Sequence, residues 1–135
     1  MSQGKNANIN GSSLEKQVEA FFIENNIDYV KQHRYESIFG HNAKMDFYIE
    51  SLDLAVECKN QEGNGSVVEK LPYVMESFEQ HPCKNGLLIL GGKFWPNKPG
   101  VVSWAIRRGL RSYKDIKVIF FSELGEWFEQ TSSRS

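Results

Sequence analysis

The sequence predicts an α/β domain, a mixed central sheet flanked by helices. Three observations predict it. Leu14, Val18, Phe21 and Phe22 recur at the spacing of one helix face. The segments 44–50 and 53–61 carry runs of apolar, β-branched and aromatic residues and are separated only by Ser51 and Leu52, the length of a tight hairpin. Two short continuous apolar runs, Gly86 to Leu90 and Lys117 to Phe121, carry the pattern of strands buried on both faces.

Each element follows from local chemistry. Residues Met1 to Gly11, rich in Asn, Gly and Ser, are expected to be a flexible N-terminus. Ser12 or Ser13 caps a first helix that ends near Asn25-Asn26. Tyr29 to Tyr35 is a candidate strand, and Gly40-His41-Asn42 a turn before the hairpin. Ser66 caps a second helix, about Val67 to Gln80. Pro72 implies that this helix kinks or begins nearer Leu71. A Gly/Pro-rich loop, Gly91 to Gly100, precedes a third helix over Val101 to Tyr113, and Ser122 caps a short last helix. The expected organisation is one domain over 12–130 and a polar tail over 131–135, in the order α-β-β-β-α-β-α-β-α.

Composition excludes several classes. No apolar stretch approaches the ~18 residues of a membrane span and no secretory leader opens the chain, so a protein without membrane attachment is expected. Cys58 and Cys83 make neither a disulfide framework nor a CxxC zinc site, which suits a reducing, cytoplasmic location. The formal net charge of −1 means that any nucleic-acid contact must draw on a local concentration of basic residues. His33, His41 and His81 show no ligand spacing and read as structural or surface residues.

The hairpin carries the chemistry. A register that sets Glu50 against Asp53 also sets Asp46 against Glu57. Like charges so placed are destabilising, and a bound cation is the commonest reason to keep them. By period-two alternation Glu57, Lys59 and Gln61 share one strand face, while Asp46 and Tyr48 share a face opposite Phe47 and Ile49. Hard oxygen donors thus gather beside an ammonium on an otherwise apolar hairpin. The plainer alternative is a solvated edge ladder. Arg107, Arg108 and Arg111 fall on one helical face with Trp104, a basic aromatic stripe suited to phosphates or simply a solvated helix end. Lys93, Phe94, Trp95 and Lys98 form a second candidate contact in the Gly/Pro loop, for DNA or for a dimer partner.

The pattern Asp46 … Glu57-Cys58-Lys59, with Asp46 on one strand and Glu-x-Lys on the next, resembles the signature of the PD-(D/E)XK nuclease superfamily, the restriction-endonuclease-like fold. The α-β-β-β-α-β order from Ser13 to Leu90 is similar to that family's core. Gly11-Ser-Ser-Leu-Glu15 resembles its helix glutamate motif, with Glu19 the alternative. Gly65-Ser66-Val67 and Glu69-Lys70-Leu71-Pro72-Tyr73 look like small restriction-type members, and Met45 stands where the motif has proline.

The resemblance implies a metal-dependent endonuclease acting on double-stranded DNA, restriction- or homing-type. A resolvase of Holliday junctions or other branched DNA, or a non-catalytic DNA-binding module, are the alternatives. It implies Mg²⁺, replaceable by Mn²⁺, on Asp46, Glu57, the Cys58 backbone carbonyl and Glu15. Lys59 would orient or deprotonate the attacking water and Gln61 would assist. Lys44, Lys70, Lys93, Trp95, Lys98, Arg107, Arg108 and Arg111 would contact DNA, and a homodimer would cut both strands.

Overall fold

The computed structural model describes residues 11–63 and 65–133, so the expectations for residues 1–10 and 134–135 lie outside the described residues. Helix α1 (Gly11–Glu24) precedes strands β1 (Val30–Glu36), β2 (Asn42–Ile49) and β3 (Leu54–Asn60). Helix α2 (Val67–Gln80), β4 (Asn85–Gly91), α3 (Pro99–Leu110), β5 (Asp115–Phe120) and α4 (Leu124–Ser133) follow. The expected order is the observed one. The sheet runs β1-β2-β3-β4-β5, antiparallel through β3 and parallel from β3 to β5. Among the described residues no helix is long and apolar enough to cross a membrane.

Two apolar layers sandwich the sheet. On one face Leu14, Val18 and Phe22 of α1 and Leu124 and Phe128 of α4 cover Phe47, Ile49, Leu54, Val56 and Cys58. On the other, Leu71, Val74, Met75 and Phe78 of α2 cover Met45, Ala55 and Leu88. β4 is buried on both faces, which is why Leu87 to Leu90 reads as a continuous apolar run. Each fully buried Phe or Leu contributes roughly 1.5–3 kcal/mol.

Several local expectations change. The hairpin connection is a 3-10 turn, Glu50–Leu52, closed by Asp53 in the left-handed region, where its N–H donates to the Glu50 carbonyl. α2 starts at Val67 and carries Pro72 inside. By then the helix has passed its first turn, so the missing proline N–H removes a single rung. Ser66 makes no cap hydrogen bond; the Gln61 side-chain oxygen accepts the Val67 N–H instead, at 3.1 Å. Ser122 lies within a 3-10 turn, Phe121–Glu123, ahead of α4. The third helix ends at Leu110, short of Tyr113.

The loop after β4 is pinned against the loop after β3. The Phe94 N–H donates to the Gln61 carbonyl at 3.1 Å. Gly92 sits at φ +98, where a Cβ would lie 2.3 Å from that same carbonyl oxygen. Only glycine fits this approach. Gly92→Ala should therefore cost about 1–3 kcal/mol, measured as a lowered urea midpoint at unchanged slope.

Candidate active site

β2 and β3 pair normally at Ile49↔Leu54, Tyr48↔Ala55 and Phe47↔Val56. The next residues in that register are Asp46 and Glu57, as the sequence predicts. Here side chains take over the pairing. The Cys58 N–H donates to Asp46 Oδ2 at 2.8 Å, and the Asp46 N–H donates to Glu57 Oε1 at 3.2 Å. Each carboxylate thus accepts an amide of the facing strand.

The predicted alternation breaks at the same point. Phe47 and Ile49 face α1, yet Met45 packs on the α2 side with Tyr48 and Ala43. β1 reverses with β2: Lys31 pairs with Glu19 of α1, whereas His33 stacks on Tyr48. The pivot of β1 is Gln32, at φ +54, which the register sets opposite Asp46. Asp46 is therefore a hinge between the faces and does not share the Tyr48 face.

Beyond that hinge lies a cleft of about 510 Å³ between β2, β3 and α2, lined by Glu57, Lys59, Lys44 and Lys70 together with Tyr35 and Tyr73. Lys59 Nζ donates to Glu57 Oε2 at 2.9 Å. Glu15 projects from α1 and shares a hydrogen bond with Asp46. It lies beyond the first turn of α1, where the helix dipole would give an acidic residue its simplest explanation. Glu19 is committed elsewhere, accepting from Tyr29 Oη at 2.5 Å and Lys31 at 3.1 Å.

Electrostatics set the protonation states. Burial, then the charge of Glu15, raises the Asp46 pKa against the Cys58 amide. Burial, then the charge of Asp46, raises that of Glu57. Burial and Glu57 raise Glu15. Burial pulls Lys59 down, but Glu57 and Asp46 outweigh it and its pKa is raised. Its two carboxylate neighbours thus hold Lys59 as an ammonium.

Among the described residues no group of three or more His, Cys, Asp or Glu side chains is spaced to hold a metal. Asp46 and Glu57 nonetheless fit a divalent ion. They are half-buried hard-oxygen donors; the charge of Glu15 opposes Asp46 and that of Asp46 opposes Glu57, and a cation would relieve both. The Cys58 carbonyl leaves β3 on the side of its own N–H, toward β2, as in any antiparallel pair.

Other expected site residues separate from this cluster. Gln61 is buried, its amide bridging the Gly63 carbonyl at 2.8 Å and the Val67 N–H, so it holds a loop. Trp95 is corrected: it is fully buried, donating Nε1–H to the Gly91 carbonyl at 2.8 Å, and has no surface for DNA. Arg108 is corrected too, since it forks onto both Glu79 oxygens at 3.0 and 3.2 Å and clamps α3 to α2. Arg107 and Arg111 are exposed, but at the end of α3 that abuts Ile116. That end is level with Ala55, four residues or roughly 13 Å along β3 from Lys59. Trp104 packs against the core and forms no stripe with them. Lys93 and Lys98 follow Gly91, which pairs with Asn60, so they lie at the Lys59 end of the sheet. Tyr35 and Tyr73, absent from the sequence-based set, line the cleft; only the register of β1 and the pitch of α2 reveal that.

An acidic pair with an adjacent ammonium thus sits where β2 and β3 part on a mixed α/β sheet. The chain belongs to the PD-(D/E)XK nuclease superfamily, whose domain profile matches residues 6–131 of 135. The five-stranded mixed sheet flanked by helices agrees with the restriction-endonuclease-like fold of that superfamily, whose nucleases usually use divalent metals. No curated protein and no solved structure matches the chain.

A carboxyl whose folded pKa is raised contributes stability that is complete below its unfolded pKa and is lost as pH climbs through the folded value. In EDTA, Asp46→Asn should therefore melt above wild type by a margin that grows from about pH 4 to about pH 7, between the ordinary carboxyl range and the raised values of about 6 for Asp46 and about 7 for Glu57. A divalent ion at a hundredfold excess over its Kd should add about 2.7 kcal/mol to the wild type, and less at lower pH. Arg108→Ala should cost about 1 kcal/mol in thermal unfolding, with DNA affinity unchanged by mobility shift.

Proposed function

We propose that this chain is a metal-dependent endonuclease that hydrolyses phosphodiester bonds in double-stranded DNA, of restriction or homing type, acting as a homodimer. The observation that carries the reading is the half-buried Asp46–Glu57 pair, which holds its own strand pair open beside the Lys59 ammonium. Magnesium is the proposed ion, with manganese able to replace it. It prefers oxygen donors and keeps several waters, so Asp46, Glu57 and the Cys58 carbonyl suffice, with Glu15 a further ligand or an anchor for Asp46. When bound, the ion supplies positive charge to the scissile phosphate and acidifies a coordinated water.

The residues then divide the work. Asp46 and Glu57 give up their protons on loading, so affinity rises with pH. Lys59, turning from Glu57, donates a hydrogen bond that orients the attacking water or offsets phosphate charge. Gln61 acts at a distance, by fixing the start of α2 from which Lys70 reaches the cleft. Lys44, Lys70, Lys93 and Lys98 are the proposed phosphate contacts; Trp95, Arg107, Arg108 and Arg111 are not.

Supercoiled plasmid and a synthetic four-way junction, incubated with Mg²⁺ or Mn²⁺, test this. Wild type should cut the plasmid, and Lys59→Ala, Asp46→Asn and Glu57→Gln should lose at least about 10²–10³-fold in rate. Cleavage of the junction alone would select a resolvase. DNA binding without any cleavage would select a non-catalytic module. Log affinity should fall with log salt at a slope of about −4, and each lysine-to-alanine change should flatten it by about one.

A further inference from the structure

We propose that Phe39 and Tyr73 form a stacking platform for one unpaired nucleobase beside the catalytic cleft, so that the preferred substrate is duplex DNA with a base already out of its stack, such as a single-base bulge. This rests on the nuclease reading above.

Two exposed rings meet where folding does not require them. Phe39, 67% exposed, sits at the tip of the β1–β2 turn, and Tyr73, 42% exposed, on α2. Their planes lie within 8° of each other with centroids 6.2 Å apart. The turn presenting Phe39 is built. The Ser37 hydroxyl accepts both the Phe39 and the His41 N–H at 3.2 Å, and the Ser37 N–H donates to the His41 carbonyl at 2.8 Å. Gly40 supplies the φ of +75 that reverses the chain. The ring is thereby held out toward solvent on a fixed support. Such a surface costs solubility without strengthening the core.

The surroundings select the ligand. Tyr73 lines the same cleft as Glu57 and Lys59, with Lys44 and Lys70 beside it. The three lysines of the cleft outnumber its two carboxylates, Glu57 and Glu69, which favours a polyanion, and the planar apolar parts of a nucleic acid are its bases. In a paired duplex the base faces are spent on one another. An unpaired base has free faces, and every base has a π surface that an aromatic side chain accepts. A base that is already unpaired needs no further unstacking energy, which is a source of selectivity in itself.

The test compares a fully paired duplex with the same duplex carrying one bulged 2-aminopurine. Binding is read by anisotropy and 2-aminopurine emission in Ca²⁺, and cleavage in Mg²⁺. Wild type should prefer the bulged duplex. Phe39→Ala and Tyr73→Ala should each weaken bulge binding by about 5- to 100-fold, and Phe39→Ala, outside the cleft lining, should leave the paired duplex within about twofold. Tyr73→Phe and Phe39→Trp should keep the preference and the emission change. Melting temperatures of the Phe39 variants, altered at an exposed position, check that they fold. Equal losses on both duplexes, or none, overturn the platform while leaving the nuclease reading intact. A wild type that neither binds nor cuts either DNA overturns both.

Discussion

The crossed exchange between Asp46 and Glu57 is the interaction on which the rest of the site depends. Each carboxylate accepts a backbone N–H of the other's strand neighbourhood, replacing pairing that a regular antiparallel ladder would make with carbonyls. The exchange satisfies the amides while letting β2 leave β3. It also brings two negative groups into a half-buried place, where desolvation raises both pKa values, helped by the charge of Glu15 at Asp46 and that of Asp46 at Glu57. A structure that keeps this arrangement without a cation keeps it at a cost in stability, and the adjacent Lys59 offsets only part of that cost. The same geometry that is unfavourable for folding is favourable for holding a metal ion and a phosphate.

The hinge extends the effect beyond the pair. Because β1 reverses its faces at Gln32 in step with β2 at Asp46, the outer halves of both strands turn their apolar residues toward α2. Tyr35, Ala43 and Met45 become one wall of the cleft region instead of a continuation of the α1-facing layer. Lys44 and the aromatic turn at Phe39 are carried along. A local change in two strands thus positions groups from β1, β2, β3 and α2 around one opening. The opening lies toward the carboxyl end of β3, where open α/β sheets commonly bind their ligands.

A domain of this size also spends conspicuous residues on its own architecture. Trp95 looks like a contact residue in a glycine- and proline-rich loop, but its indole fills the core and ties the loop to Gly91. Arg108 looks like a phosphate ligand, but Glu79 holds both of its outer nitrogens. Gln61 looks like part of a charged strand face, but the strand has ended at Asn60 and its amide closes the turn into α2. In each case the side chain satisfies a partner within the fold first, and burial or pairing removes it from solvent.

The sequence by itself determined the element order, the strand pairing register and the opposition of Asp46 and Glu57, because these follow from local periodicity and from the length of one short connection. It also carried Lys59, two residues from Glu57 on the same strand. Only the tertiary structure set Glu15 beside Asp46 and Glu19 away from it, since the two lie one helical turn apart and only the packing of α1 against β1 commits Glu19 to Tyr29 and Lys31. Only it showed that alternation reverses at Asp46, because a left-handed residue on the neighbouring strand leaves no mark in a one-dimensional pattern. And only it sorted the basic residues by place. A helix face gathers Arg107, Arg108 and Arg111 by pitch alone, but whether that face looks toward the site depends on which end of the sheet the helix reaches.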